Sequence, residues 1–465
     1  MRNKLKNILG WKLAPYILLL ILISAYFIIF LSTSFSQYNR FWYGNFDLGI
    51  PDQGIWLLSQ NKEPFVTARG MHIFADHSEY IKIFVAPVFW LWNDAKALIL
   101  LQTLALSLAA IPLFFIAKKL LKSNRTSLII VAVYLLYPAL QFLNLDQGYH
   151  SEAFIIPMLF TAHYFLLEKK YTHVFVLCLF SLLIKEEIAL TIALYGAYIY
   201  FRHNKKLGAI VSITTVIWLI VLLTVIFPMF SSRGFLYFER TTGNSPFKMI
   251  SNVFDIRNAE YIAKLFGPLG FTPFFDAAIV SAGSLFLNLA NSWSYSHEIQ
   301  YHYTAAIIPV AFIAMLHFLS KRKNIMLWLL VILSLTLISN YIFGPGEVSL
   351  RETDKMFNNV AELGKEPENV IALKQMISSI PQNASVSASY NIMAFLTHRE
   401  RIYMYPVPFK SHMYGASGNE LPEDRFVDYI IISRSVVPEK DMIFMENYTM
   451  TSRHDDIEMY KKTVM

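Results

Sequence analysis

The sequence predicts a polytopic α-helical membrane protein, and three observations carry that prediction. Of its 465 residues, 55% are hydrophobic and only 16% are charged, against roughly 25% charged in a soluble domain. Phe (37) and Tyr (26) are abundant, as expected where aromatic rings settle at bilayer interfaces. Long apolar runs alternate with five basic clusters: Arg2/Lys4/Lys6/Lys12, Lys118/Lys119/Lys122/Arg125, Lys169/Lys170, Arg202/Lys205/Lys206 and Lys321/Arg322/Lys323. Lys and Arg near membrane ends stay on the cytoplasmic side. The clusters therefore assign an orientation in a plasma membrane, with the N-terminus cytoplasmic.

The same bias absorbs the net charge of +7, so no nucleic-acid affinity is read from it. Cys178 is the single cysteine, which excludes an intramolecular disulfide and a cysteine-based metal site. Walker, dinucleotide, HExxH and GxSxG motifs are absent from the sequence, and with them the common soluble catalytic machinery.

Residues 13–32 form the first span. It is apolar, follows a basic start and is long enough to cross, so we expect an uncleaved signal anchor. A large first outer loop, 33–96, follows. Within it 81–92 is too short to cross comfortably and reads as an interfacial helix. Spans are expected at 97–117, 126–143 and 153–167. Residues 174–184 and 188–200 are each short, with a basic loop at both outer ends. Two short helices meeting at Lys185-Glu186-Glu187 satisfy that arrangement, and a single helix does not; such breaks are tolerated where they line a cavity. A full span at 207–230 leads outward. A second interrupted pair is expected over 262–290, broken by Gly267-Pro268, Gly270, Pro273 and Asp276. Residues 304–319 descend and 325–343 ascend. We divide the chain into a membrane domain, 1–343, and an extracytoplasmic α/β domain, 344–465, with a helix at 370–380 and strands at 384–388, 402–405 and 429–433.

Ionisable groups in or beside membrane spans are costly, so each is a functional candidate. The first outer loop carries Asp47, Asp52, Arg69, Asp76 and His77. A carboxylate there can act as general base on a hydroxyl, and an arginine can neutralise a phosphate. For Asp47 helix capping competes evenly with catalysis, and for Asp52 capping is the plainer reading. Asp76 and His77 suit a divalent metal by chemistry, although a simple hydrogen-bonded pair explains two residues as well. His150 and Glu152 crowd a short outer loop, with the helix dipole as the bland account of Glu152. Lys185 and Glu186 need partners or water; a self-neutralised cluster is the structural alternative. His302 precedes a descending span, where Tyr301 and Tyr303 can equally be interfacial anchors.

These residues, in this order, resemble an uncharacterised family of prokaryotic polytopic membrane proteins, a domain of unknown function. The matching pieces are Phe46-Asp47-Leu48-Gly49-Ile50 with Asp52-Gln53, Arg69-Gly70, Asp76-His77, Tyr149-His150-Ser151-Glu152-Ala153, Lys185-Glu186-Glu187, and His302-Tyr303 before Ile308-Pro309. Ser151 stands where the pattern carries Pro. The family is similar in layout to glycosyltransferases of the C superfamily. The resemblance implies a glycosyltransferase-C-like fold and sugar transfer from a polyprenyl-phosphate donor. It also implies Asp47 as base and, in some members, a divalent metal. Arg69, His77, His150, Glu152, Lys185, Glu186, His302 and Asp52 would then bind substrate, with membrane lipids as the other partner. Two rival readings remain: a transporter or flippase for a glycolipid or anionic substrate, and a non-catalytic assembly or sensor protein.

Overall fold

The computed structural model describes residues 2–146, 148–231, 234–235, 237, 246–346, 350, 367–410, 426–438, 441–442 and 446–463. Side chains of the first basic cluster, and Gln147, lie outside the described residues. Among the described residues, five helices are long and apolar enough to cross a membrane: Leu13–Asn39, Lys96–Leu121, Lys205–Phe230, His302–Ser320 and Ile325–Phe343. A sixth crossing joins Asn124–Leu135 to Pro138–Leu145 through a 49° bend. Multi-pass membrane architecture follows.

The bend has a named cause. Pro138 removes a backbone donor, and the carbonyls at the break find side-chain partners instead. Gln141 Nε2 donates to the Leu135 carbonyl at 3.1 Å, and Asn340 Nδ2 donates to that of Leu136. The first helix runs past the expected end at 32. Its polar continuation stays helical, with the Thr33 Oγ1 hydroxyl bonding back to the Ile29 carbonyl at 2.9 Å, a local bond that hydroxyl side chains make readily. Phe35 and Tyr38 then pack on the helix that begins at Lys96.

His302–Ser320 is buried along 83% of its apolar window, against 22% for Leu13–Asn39. A helix apolar all round belongs at the centre, and the largest core cluster does form about it. The two short helices Tyr171–Ser181 and Ile188–Arg202 meet at a turn containing Lys185, as the charged triplet implied. The expected pair over 262–290 is less regular. A helix ends at Phe266, three short 3-10 turns occupy Gly267–Ser281, and a helix resumes at Gly283–Ala290. Gly267-Pro268 and Pro273 account for the turns, since each proline denies the ladder a donor. The interfacial stretch is likewise two helical turns, Ile81–Val85 and Val88–Leu91, parted by Pro87.

Beyond the spans, a sheet is built from β3 (Val386–Ala388), β4 (Ile402–Met404), β5 (Tyr429–Ser433), β6 (Tyr448–His454) and β7 (Ile457–Lys462); β1 (Phe65–Val66) and β2 (Met71–His72) pair separately in the outer loop. The order is β4-β3-β5-β7-β6. β4, β3 and β5 run parallel, and β7 and β6 are added antiparallel. The β6–β7 hairpin lay outside the sequence expectation. One core joins Ile50, Val66 and Ile73 of the outer loop to Val386, Ile392 and Ile402, so the sheet unit docks directly on that loop.

Candidate active site

A cavity of about 840 Å³ opens between the outer loop, the charged turn at 185–187 and the start of the central helix. Asp47, Arg69, Asp76, His77, His150, Glu152, Lys185, Glu186 and His302 all line it. Of the residues singled out from the sequence, Asp52 alone is elsewhere. It is fully buried, with Thr397 Oγ1 donating to Oδ2 and His398 Nε2 at 3.2 Å from Oδ1.

Neither carboxylate caps a helix. Asp47 lies inside the π-turn Asn45–Gly49, whose N-cap is Gly44, and the helix Ile50–Ser59 has Gly49 at its N-cap. The π-turn turns Asp47 into the cavity. A Cβ on Gly44 would fall 1.9 Å from Tyr390 Cε1, so the absence of a side chain lets Tyr390, from the sheet unit, reach the same cavity. Burial raises the Asp47 carboxyl; Glu152 and Glu79 add to that, and His150 and Lys185 only partly offset it.

The cations of the lining are held by acids. Arg69 makes a two-point contact with Asp76, Nε to Oδ2 and Nη2 to Oδ1, both 3.2 Å. Tyr237 closes the triad, donating to Asp76 Oδ1 at 2.5 Å. Burial would raise Asp76, but Arg69, His77 and the Tyr237 hydroxyl reverse it and hold the carboxyl well below the usual range. Lys185 donates to Glu152 Oε1, and Lys82 is 2.9 Å from Glu79 Oε2. Six carboxylates (Asp47, Asp76, Glu79, Glu152, Glu186, Glu187) thus face three basic side chains among the described lining residues.

Glu186 is the hub of the broken-helix turn. Its Oε1 is 2.7 Å from His77 Nδ1, and its Oε2 accepts from Ser78 N at 3.0 Å and Ser78 Oγ at 3.1 Å. Burial and Lys185 push His77 down, yet Glu186 and Asp76 outweigh them and raise it. Of the expected metal pair, Asp76 is held by Arg69 and Tyr237, and His77 is held through Nδ1 by Glu186. The donors that do converge are Asp47, His150 and His302, whose ligand atoms lie within 4.8 Å of one another. His150 Nε2, 3.8 Å from Asp146 Oδ2, and His302 Nδ1 are buried with no hydrogen-bond partner among the described residues, and the two rings stack at 4.1 Å. Gln102 positions the His150 loop by accepting from its backbone N at 2.6 Å. Gly148, at φ +88°, supplies the turn.

Sequence reading missed the aromatic wall. Trp293, Tyr295, Tyr301, Tyr303 and Tyr390 all line the cavity, with Tyr295 edge-on to both Trp293 and Tyr301. The spacing of aromatics in 293–303 was the available signal, but the same pattern serves an interfacial belt.

No curated protein sequence matches the chain. Among solved structures, the chain is similar to the crystal structure of ArnT from Cupriavidus metallidurans bound to undecaprenyl phosphate. The TM-score is 0.59 at 10% identity, over 97% of this chain and 98% of that one. The likeness is one of fold, and the fold is glycosyltransferase-C-like. A family model described as a predicted membrane protein, DUF2079, matches residues 37–459. With its outer-loop carboxylates, broken-helix turn, central helix and docked sheet all inside that match, the chain belongs to the DUF2079 family.

Proposed function

We propose that the protein is an integral-membrane glycosyltransferase that moves a sugar from a polyprenyl-phosphate donor to an acceptor hydroxyl on the outer face. One observation carries this reading: Asp47, the basic side chains Arg69 and Lys185, and an aromatic wall meet in one large cavity. The fold adds support, since a similar one holds undecaprenyl phosphate in ArnT. The side of the membrane rests on charge. Lys119 pairs with Glu168 at the far end of the helices that leave the cavity, and Lys321 lies at the far end of the central helix. Positive clusters mark the cytoplasmic side, which supports a cavity that opens on the outer face.

In this mechanism Asp47 accepts the acceptor's hydroxyl proton as its oxygen attacks the anomeric carbon. The bond from that carbon to the phosphate oxygen breaks, and the configuration inverts. Burial makes Asp47 a stronger base than a solvated aspartate, which brings it nearer the pKa a general base needs at neutral pH. Lys185 and Arg69 stabilise the charge that develops on the departing phosphate. Aromatic faces of Trp293 and Tyr295 suit the apolar face of a sugar ring.

An acid-rich lining is a poor host for a phosphate unless more positive charge is supplied. His150 and His302 have the donor chemistry of a divalent-metal site, and their two imidazole nitrogens without a hydrogen-bond partner among the described residues fit it; Asp47, close to both, is kept as the base, since a coordinated carboxylate has little basicity left. When bound there, the ion would supply positive charge beside the reacting phosphate.

The test is transfer from radiolabelled polyprenyl-phosphate sugars in membranes expressing the protein, with Asp47→Asn as the partner sample. Loss of product in the variant is expected. Equal product from both would remove Asp47 from the role.

A further inference from the structure

Two helices that follow the span Lys205–Phe230 take no part in the transfer reaction: Pro246–Val253 and Ile256–Phe266. Asp255 caps the second, its Oδ1 accepting from Arg257 N at 2.9 Å. That helix has three faces, each displaced from the last by one residue, or roughly 100°. Asn258, Tyr261 and Leu265 are buried. Arg257, Glu260 and Lys264 form a charged stripe, with Arg257 paired to Asp255 and Lys264 to Glu260. Ile256, Ala259 and Ala263 are apolar and exposed. Ile256 and the neighbouring Phe254 are each 83% exposed, more open than Ile28, Ile213 and Leu327 on the membrane-crossing helices. Ile250, on the first helix, is exposed as well.

Contiguous bare apolar side chains mark a surface that meets a partner or a membrane, and the contacts of the other two faces say which. The buried face is tied to the bundle: Tyr137 Oη donates to the Leu265 carbonyl, and Asn288 Nδ2 donates to Tyr261 Oη at 2.9 Å. The charged face turns toward the mouth of the cavity, where Lys264 comes within 3.9 Å of Glu298, a few residues before the lining residues Tyr301 and His302. The apolar face lies roughly 160° from the buried one. It therefore points away from the bundle, on the side where the spans present their own bare apolar residues to lipid. A charged stripe flanking an apolar face, on a helix beside the spans, is the pattern of a helix lying in the membrane interface.

We propose that residues 250–263 form a membrane-surface seat, whose partner is the headgroup and acyl-chain boundary of the leaflet on the cavity side. The seat is coupled to the cavity wall. Asn252 Nδ2 donates to the Ala290 carbonyl at 2.9 Å, Asn258 Nδ2 to the Leu289 carbonyl at 3.2 Å, and Asn258 Oδ1 is 2.6 Å from His297 Nδ1. Those partners flank Asn291, Trp293 and Tyr295 of the lining. Seating the two helices thus sets the depth of the aromatic wall in the bilayer, whatever reaction the cavity performs.

The experiment uses full-length protein in nanodiscs of phosphatidylethanolamine and phosphatidylglycerol. On a Cys178→Ser background, nitroxide labels are placed at Phe254→Cys, Ile256→Cys and Glu260→Cys. Labels at 254 and 256 should collide more with oxygen, which concentrates in lipid, than with a water-soluble nickel chelate, and the order should reverse at 260. The unmodified chain supplies a second measurement that no substitution can disturb: a phospholipid carrying a diazirine in its acyl chain should label the peptide spanning 250–259. Nickel-chelate preference at 254 and 256 would overturn the proposal by placing the face in water. Shielding from both quenchers with dipolar broadening between chains would overturn it in favour of a second copy, and photolabel confined to the spans would overturn it on the native protein.

Discussion

His398 Nε2 meets Asp52 Oδ1 at 3.2 Å across 346 residues of chain, inside the contact between the sheet unit and the outer loop. Trp56 stacks on the same imidazole at 5.8 Å, and Gln53 Nε2 donates to the Arg399 carbonyl at 3.1 Å. The helix carrying Asp52 is the one that follows Asp47, so docking of the sheet holds the Asp47 turn in place. His398→Ala leaves a buried carboxylate short of a partner, a loss of about 1–3 kcal/mol. Thermal unfolding in nanodiscs should register it. Lys62→Ala removes an exposed contact to Glu400 in the same interface and should cost less than about 1 kcal/mol. Equal effects from the two variants would contradict the docking role of Asp52.

The Arg69–Asp76–Tyr237 triad is structural as well as polar. Asp76→Ala strands a buried guanidinium, and breaking such a pair costs about 3–5 kcal/mol. The effect has a pH signature. The folded carboxyl lies below its ordinary value, so its contribution is complete above the ordinary aspartate range and is lost only as pH falls below it. Wild type and Asp76→Asn should therefore differ most at neutral pH, and their melting curves should converge in strong acid.

Asp47 runs the other way. Its folded carboxyl is raised, so its charge disfavours folding, and any stability from its protonated form is lost as pH rises above the ordinary aspartate value. Asp47→Asn should consequently melt no lower than wild type at neutral pH while transfer falls about 10²- to 10⁴-fold. The acid limb of the rate profile, which reports deprotonation of the base, should sit above the ordinary aspartate range. A limb at or below that range would assign the base elsewhere.

Much of the membrane fold is legible in the sequence because the bilayer imposes a simple rule. Apolar runs must be long, and basic residues mark one side. Lys185-Glu186-Glu187 announced its own break for the same reason. The β6–β7 hairpin was not legible, because most of β6 is exposed and an edge strand facing water carries no apolar alternation. The site divides similarly. Each charged group advertised itself by its cost in an apolar setting, but its partner did not. Nothing near Asp52 points to His398, and nothing near Asp76 points to Tyr237. Local spacing paired Asp76 with His77, and tertiary packing separated them onto different partners.

Lys185 and Glu152 offer the sharpest separation of structure from chemistry. Both are buried, and Lys185 donates to Glu152. Lys185→Met alone leaves Glu152 with only His302, 3.6 Å away, beside it, whereas Lys185→Met with Glu152→Leu removes both charges and keeps comparable volume. Buried pairs replaced by apolar residues are often tolerated, while halves of pairs are not. The single variant should thus yield less folded protein than the double. Transfer should behave differently. If Lys185 stabilises the departing phosphate, both variants lose about 10²- to 10³-fold, and restoring the fold in the double variant restores no activity. Yield of monodisperse protein and transfer per folded molecule are the two measurements. A double variant as active as wild type would reduce the pair to a structural contact and leave Arg69 as the group that receives the phosphate charge.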